Sequence, residues 1–353
     1  MKEIELDKRS QEILEAVVRS YIETGEPVGS RAVSVLTREG LSAATVRNVM
    51  ADLEQRNLLA QPHTSAGRVP TDLAYRVYVD LLMKTRKLSA AEERLIESSV
   101  QGGPPELSEI FATVSRLLSR LSRQLGVVVT PHVSRVRVRD IEFVRLAAHR
   151  VLLIVVATSG LIHNKVVEIP EDHAQERLDA LGRYLSREFS GHTLLEIRDR
   201  ILSMMGQEKA QYDSLLLEAL ALGRASLAME PPAGMAGEIF VDGAANLLSE
   251  PAFASTERLK SLFRTFEEKH ELVRVLNSCL EERPGGVRVL IGSENPSPEM
   301  SDCTLIASSY GAEGNTMGTL GIIGPTRMEY ARAIALVDSM ARVLSDALTR
   351  YPG

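Results

Sequence analysis

The chain of 353 residues is 44% hydrophobic and 25% charged, which excludes a disordered or fibrous polymer and gives enough apolar content for two or three domains. Its net charge of −6 excludes a uniformly basic coat for nucleic acid or membrane while leaving room for a local basic site. Two cysteines, no tryptophan and 4% aromatic residues exclude a disulfide scaffold and a stacking platform for single strands, and fit a reducing cytoplasm. The longest apolar run, Val151 to Ala157, is too short to span a membrane, and the first ten residues lack the apolar centre of a signal peptide.

The first 88 residues hold 13 basic and 12 acidic side chains, so the acidic excess lies in the remainder. A polyanion is best tolerated at this end. Asp7 to Glu23 carries Leu6, Ile13, Leu14, Val17, Val18 and Ile22 on one helical face, and Thr24-Gly25-Glu26-Pro27 stops it. A second short helix is expected over Val28 to Arg38. Gly40 turns the chain, and Ser42 caps a third helix, Ala43 to Gln55. This is helix-turn-helix spacing.

The third helix has two faces. Val46, Val49, Met50 and Leu53 form the core stripe, while Ala44, Asn48, Ala51 and Gln55 point the other way, flanked by Thr45 and Arg47. Solvated helix faces usually carry Glu and Lys. Ala, Asn, Gln and Arg instead suit a major groove, where Ala meets a thymine methyl, Asn and Gln pair with adenine and Arg with guanine. A polar surface helix is the plainer alternative. Leu58 to Gln61 and Arg68-Val69 then read as two short strands around the turn Pro62 to Gly67, with a fourth helix from Thr71. Such a hairpin after a recognition helix is a wing. Base readout is therefore assigned to Ala44, Thr45, Arg47 and Asn48, and phosphate or minor-groove contact to Arg31, Ser42, Thr64, Ser65 and Arg68. His63 has no partner at ligand spacing and reads as an exposed loop residue.

Beyond residue 88, helical sequence is broken by Gln101-Gly-Gly-Pro-Pro105 and gives way at Gly126 to β-rich texture. Residues 126–169 and 286–325 are expected to be halves of one mixed sheet, flanked by a helix over 106–125 and a closing helix from about Met328 to Arg350. Between them, Leu178, Leu181, Leu185 and Phe189, then Leu194, Ile197, Ile201 and Met204, mark helices of an insertion. Another helix is expected over about Thr256 to Glu282. A single contiguous domain over 90–353 is the alternative. An insertion this small buries its stripes poorly alone, so one stripe is expected to pack on a second copy of the chain.

Several segments carry a family resemblance. PHTSAGRVPTDLAYRVYVDLL at 62–82, with GEPVGSRAV and SAATVRNVMADLEQRNLL before it, resembles the HrcA family of bacterial heat-inducible transcription repressors. So do GEIFVDGAANLLSEPAF and GTLGIIGPTRMEYARAIALVDSMARVLS, so the resemblance spans nearly the whole chain. It implies an α+β multidomain protein: an N-terminal winged helix-turn-helix domain over 1–87, a discontinuous GAF-like α/β domain over 88–170 and 237–353, and an inserted, mainly helical dimerisation domain over 171–236. It further implies a homodimer on double-stranded DNA at the inverted-repeat CIRCE operator of chaperone genes, an active form maintained by the GroEL chaperonin, and release on heat stress.

Signals for catalysis are weak. Gly311-Ala-Glu-Gly314 and Gly318-Thr-Leu-Gly321 match no phosphate-loop pattern and are expected to be hairpin turns. The histidines lack metal-ligand spacing, and no GxSxG elbow occurs. Cys279 and Cys303 read as buried apolar residues. No catalytic residue, metal or cofactor is expected. The rival reading is a small-molecule-responsive regulator sensing a ligand in its GAF-like domain; weaker ones are an enzyme with a DNA-binding arm and a winged helix that contacts protein.

Overall fold

The computed structural model describes residues 5–37, 40–63, 66–84, 86–101, 107–130, 137–158, 162–169, 171–193, 196–197, 200, 239–248, 275–276, 286–312 and 315–350. It is a mixed α/β architecture with several separate sheets. Helix α1 (Lys8–Thr24) starts at Asp7, whose carboxylate accepts from the Ser10 N–H at 2.8 Å, and ends at Gly25 with φ +75°. That left-handed conformation is cheap for glycine, which is why the chain can turn there. Helix α2 (Ser30–Leu36) is shorter than the expected span, and α3 (Ala43–Gln55) has the expected bounds. Strands β1 (Leu59–Ala60) and β2 (Val69–Pro70) pair antiparallel. Val28 adds a bridge to Arg68, with both backbone hydrogen bonds at 2.9 Å, so the hairpin is anchored from the segment ahead of α2. Helix α4 (Asp72–Val77) follows, capped by Thr71 and continued by a wider turn to Leu82.

The main sheet has the order β7-β3-β10-β9-β8. Its strands are β3 (Leu125–Val129), β7 (Ile239–Asp242), β8 (Val287–Ile291), β9 (Cys303–Ala312) and β10 (Asn315–Pro325), all antiparallel to their neighbours. Helices α5 (Ala90–Gln101), α6 (Leu107–Ser122) and the closing helix, α9 (Tyr330–Arg350), share one continuous core with α1, α3 and the face of this sheet bearing Val128, Ile306, Leu320 and Ile322. Leu125, Val127, Leu305 and Ile323 belong to a second cluster with Leu247 of α8 (Ala244–Leu248) and with Cys303, whose burial pushes its thiol up to about 12.

The expectation of one sheet over 126–169 and 286–325 is corrected. Only β3 joins the main sheet. Strands β4 (Val138–Ala147), β5 (Arg150–Ala157) and β6 (Ile162–Glu168) form their own antiparallel sheet, with a separate core in which Val138, Ile141, Phe143, Val151, Leu153 and Val155 meet Leu178, Leu181, Leu185 and Phe189 of α7 (Gln175–Phe189). The stripe predicted for α7 is thus buried. Helix α7 also closes the outer edge of β4: Ser186 Oγ exchanges hydrogen bonds with the N–H and C=O of Ile141, while Gln175 accepts from Arg145 N–H and donates to Phe143 C=O. An open edge would template aggregation. Of the second predicted stripe, Ile197 is buried; Leu194, Ile201 and Met204, Cys279 and most of 256–282 lie outside the described residues. Gly318 and Gly321 are not hairpin turns. Both sit inside β10, where Gly318 leaves room for the Tyr310 hydroxyl to donate to Val129 C=O at 2.8 Å.

Two tests arise from this packing. Tyr75 of α4 and Tyr330 of α9 meet with ring centroids 5.7 Å apart, and the buried Tyr75 hydroxyl has no hydrogen-bond partner among the described residues. Tyr75→Phe removes an uncompensated polar group, so thermal unfolding should show unchanged or higher stability, by up to about 1 kcal/mol. A clear loss would mean the hydroxyl is satisfied in solution. At the start of α5, Ser89 and Glu92 cap each other reciprocally, and Glu92 also accepts from Arg332 of α9 at 2.9 Å. Hydrogen bonds from Ser89, then Arg332, lower its carboxyl to about 2. A depressed carboxylate stabilises the fold above its unfolded pKa and stops doing so as pH falls through the folded one. Glu92→Ala should cost about 1 kcal/mol at neutral pH, and the gap from the parent melting curve should close between about pH 5 and pH 2.

Candidate nucleic-acid interface

Helix α3 is set by its buried stripe. Val46, Met50 and Leu53 are 0–4% exposed and pack in the shared core, with Val49 beside them. Helical geometry then forces the opposite side outward. Ala44, Arg47, Asn48 and Gln55 are exposed, and Thr45 and Ala51 are half-buried. Among the described residues, neither Arg47 nor Asn48 has a side-chain partner to give up before meeting a ligand. Ser42 is exposed and caps the helix, accepting from the Thr45 N–H at 3.1 Å while the two hydroxyls lie 2.9 Å apart. A donor from either hydroxyl to a base or phosphate therefore competes with this local bond. Arg31 is exposed on α2.

The hairpin is held against this helix. Arg68 is engaged: its Nε and Nη2 lie 2.9 and 2.8 Å from Glu54 Oε2, and its side chain is only 21% exposed. The pair ties the returning strand to the last turn of α3. A phosphate contact by Arg68 would have to compete with Glu54. Gln61 Nε2 donates to Ala66 C=O at 3.1 Å and braces the base of the turn, and His63 is exposed, as expected. Thr64 and Ser65 lie outside the described residues. Sequence reasoning missed Glu54, Gln61 and the Val28 bridge. Nothing local in the sequence marked Glu54 as the partner of Arg68, 14 positions later.

The site thus joins an exposed Ala, Arg and Asn surface on a capped helix to a hairpin fixed at its side. The comparisons with known proteins bear on it directly. Residues 108–334 match the family model described as the HrcA protein C-terminal domain. A curated relative from Geobacter sulfurreducens, named heat-inducible transcription repressor HrcA, is 42% identical over 98% of both chains. One of the same name from Syntrophobacter fumaroxidans is 39% identical over the same shares. The chain belongs to the HrcA family. A crystal structure of a hypothetical protein covers 98% of this chain and 99% of its own with a TM-score of 0.62 at 21% identity, and shows a shared fold. The family model begins within α6, so the HrcA match that reaches α3 comes from the full-length relatives. No helix among the described residues is long and apolar enough to cross a membrane.

Proposed function

We propose that this chain is a sequence-specific DNA-binding repressor of heat-inducible chaperone genes, acting as a homodimer on an inverted repeat of the CIRCE type. The observation that carries the reading is the outward surface of α3, where Ala44, Arg47 and Asn48 stand exposed opposite a buried stripe, with a hairpin pinned beside them. Residues 1–87 act as a winged helix. Ala44, Thr45, Arg47 and Asn48 read base edges; Arg31, Ser42, Thr64, Ser65 and Arg68 meet phosphates or the minor groove. The names of the full-length relatives support the repressor role.

The five-stranded sheet with α6 and α9 serves as the GAF-like domain. The inserted unit begins at β4 on this reading, ahead of the boundary at 171, because β4–β6 and α7 have their own sheet and core. The outer face of that sheet supports self-association: Val144, Leu152 and Val166 lie in one cross-strand row, Val156 and Ile162 in another, and Val144, Val166 and Ile162 are 38%, 45% and 67% exposed. On the family resemblance, the GroEL chaperonin maintains the active form and heat stress releases the repressor.

Selection of bound duplexes from a random pool at a stated salt concentration tests the reading. An enriched inverted repeat is expected; recovery of no sequence preference would overturn it. For the chaperonin, operator binding is measured after mild heating with and without GroEL and ATP. Identical recovery in both would remove that part.

A further inference from the structure

Outside α3, the most elaborate polar contact among the described residues joins α4 to the turn after β8. Asp72, at the first position of α4, accepts the Ser293 N–H at 3.0 Å. One turn on, Arg76 donates Nε to Glu294 Oε1 at 2.8 Å and Nη2 to Glu294 Oε2, closing a fork-to-fork pair. The same Nη2 reaches the Val289 C=O at 2.5 Å, and Nη1 reaches Asp80 at 3.1 Å. Glu294 is itself fixed, because its Oε2 also accepts the Ile291 N–H at 2.9 Å. Gly292 lies between, at φ +54°, where a Cβ would overlap the Asp72 carboxylate. At the end of α1, Arg327 Nη1 donates to the Ile22 C=O at 3.2 Å.

We propose that Arg76, together with Asp72 and Glu294, is a positioning site for operator recognition: it fixes the angle of the reading helix to the main sheet and so sets the half-site spacing that a dimer accepts. The inference rests on the DNA-binding homodimer reading above. Arg76 is well placed for this role. Its helix follows directly from the hairpin through Pro70 and Thr71, and apart from Asp80 its partners lie on β8 and the turn that ends it. Apolar packing alone is non-directional and permits small rotations. A bidentate pair with an added backbone acceptor defines one angle. The contact is also partly shielded: the Arg76 and Glu294 side chains are 15% and 29% exposed, less than in the surface ion pairs that contribute little. Burial works against its charge, but Glu294 and Asp80 more than offset this and hold its pKa above the ordinary arginine value. Since half-sites repeat about every helical turn, a change of angle at this joint alters which spacing both reading helices can meet.

The experiment uses the full-length chain on duplexes with the selected half-site alone and with two inverted half-sites at stepped separations. The parent should favour one separation. Arg76→Ala and Glu294→Ala, which break the joint from opposite sides, should bind the lone half-site as the parent does but show a preference flattened by about fivefold or more. Arg76→Lys, which keeps the charge and loses the fork, should fall between and guards against a variant that fails to fold. Parent protein that binds no operator would overturn the DNA-binding reading and this proposal with it. A selective parent whose variants keep the same spacing profile, or lose affinity equally for every duplex including the lone half-site, would overturn the positioning role alone.

Discussion

Asn48→Ala and Arg47→Ala should each weaken operator binding by about 5- to 150-fold, corresponding to about 1–3 kcal/mol, and relax the preference at one base position. Both side chains are exposed on α3, on the side away from Val46, Met50 and Leu53. Removing them leaves the core untouched, so stability should stay within about 0.5 kcal/mol of the parent. Without its bidentate partner, a base edge keeps two polar groups unpaired, a donor and an acceptor of adenine opposite Asn48 or two acceptors of guanine opposite Arg47, which accounts for an effect of this size. Arg31→Ala offers the contrast. A phosphate contact carries no sequence information, so its removal should weaken specific and non-specific duplexes alike and reduce the dependence on salt. Binding titrations on matched and single-base-altered operators, at two salt concentrations, separate these outcomes. An Asn48→Ala protein with unchanged affinity and base preference would show that this side of α3 does not face the bases.

The second large effect is on stability. Gly126 sits in β3, an interior strand of the main sheet, with α6 packed on it. A Cβ there would overlap the Ser115 carbonyl oxygen and stand 2.8 Å from the Ser119 backbone nitrogen. Both obstacles are helix backbone and cannot swing aside. Nor can α6 lift away, because Phe111, Val114, Leu117 and Leu118 anchor it in the shared core and Ser115 Oγ donates to the Gly126 C=O at 3.0 Å. Gly126→Ala should therefore destabilise the fold by about 1–3 kcal/mol, seen as a melting temperature lower by several degrees, and Gly126→Val by more. A Gly126→Ala protein that melts with the parent would mean that α6 and β3 have room to part.

Much of the N-terminal end of the molecule was legible in the sequence. The bounds of α3 follow from one cap, Ser42, and a 3.6-residue apolar repeat, and the turn at Gly25 follows from a residue that tolerates a left-handed backbone. Both signals are local. The stripe of α7 was legible for the same reason. The bonds that fix these pieces to one another were not. Arg68 was expected to present a free guanidinium, and it lies on Glu54, 14 positions earlier. Arg76 reads in sequence as an ordinary charged residue on a short helix, because its partner is 218 positions away.

Among the described residues, periodicity and capping by themselves settled where most helices lie and which side of α3 is greasy, since each of these depends on neighbours within a few residues. Which strands share a sheet was decided only on folding. The segments at 125–129 and 138–168 both read as β-rich apolar sequence, yet β3 pairs with β10 and β7 while β4–β6 close on α7. Backbone hydrogen bonds are chemically identical along every edge, so the choice of partner comes from the shape of the packed core and from the chain path between strands, neither of which is written in any short stretch of residues.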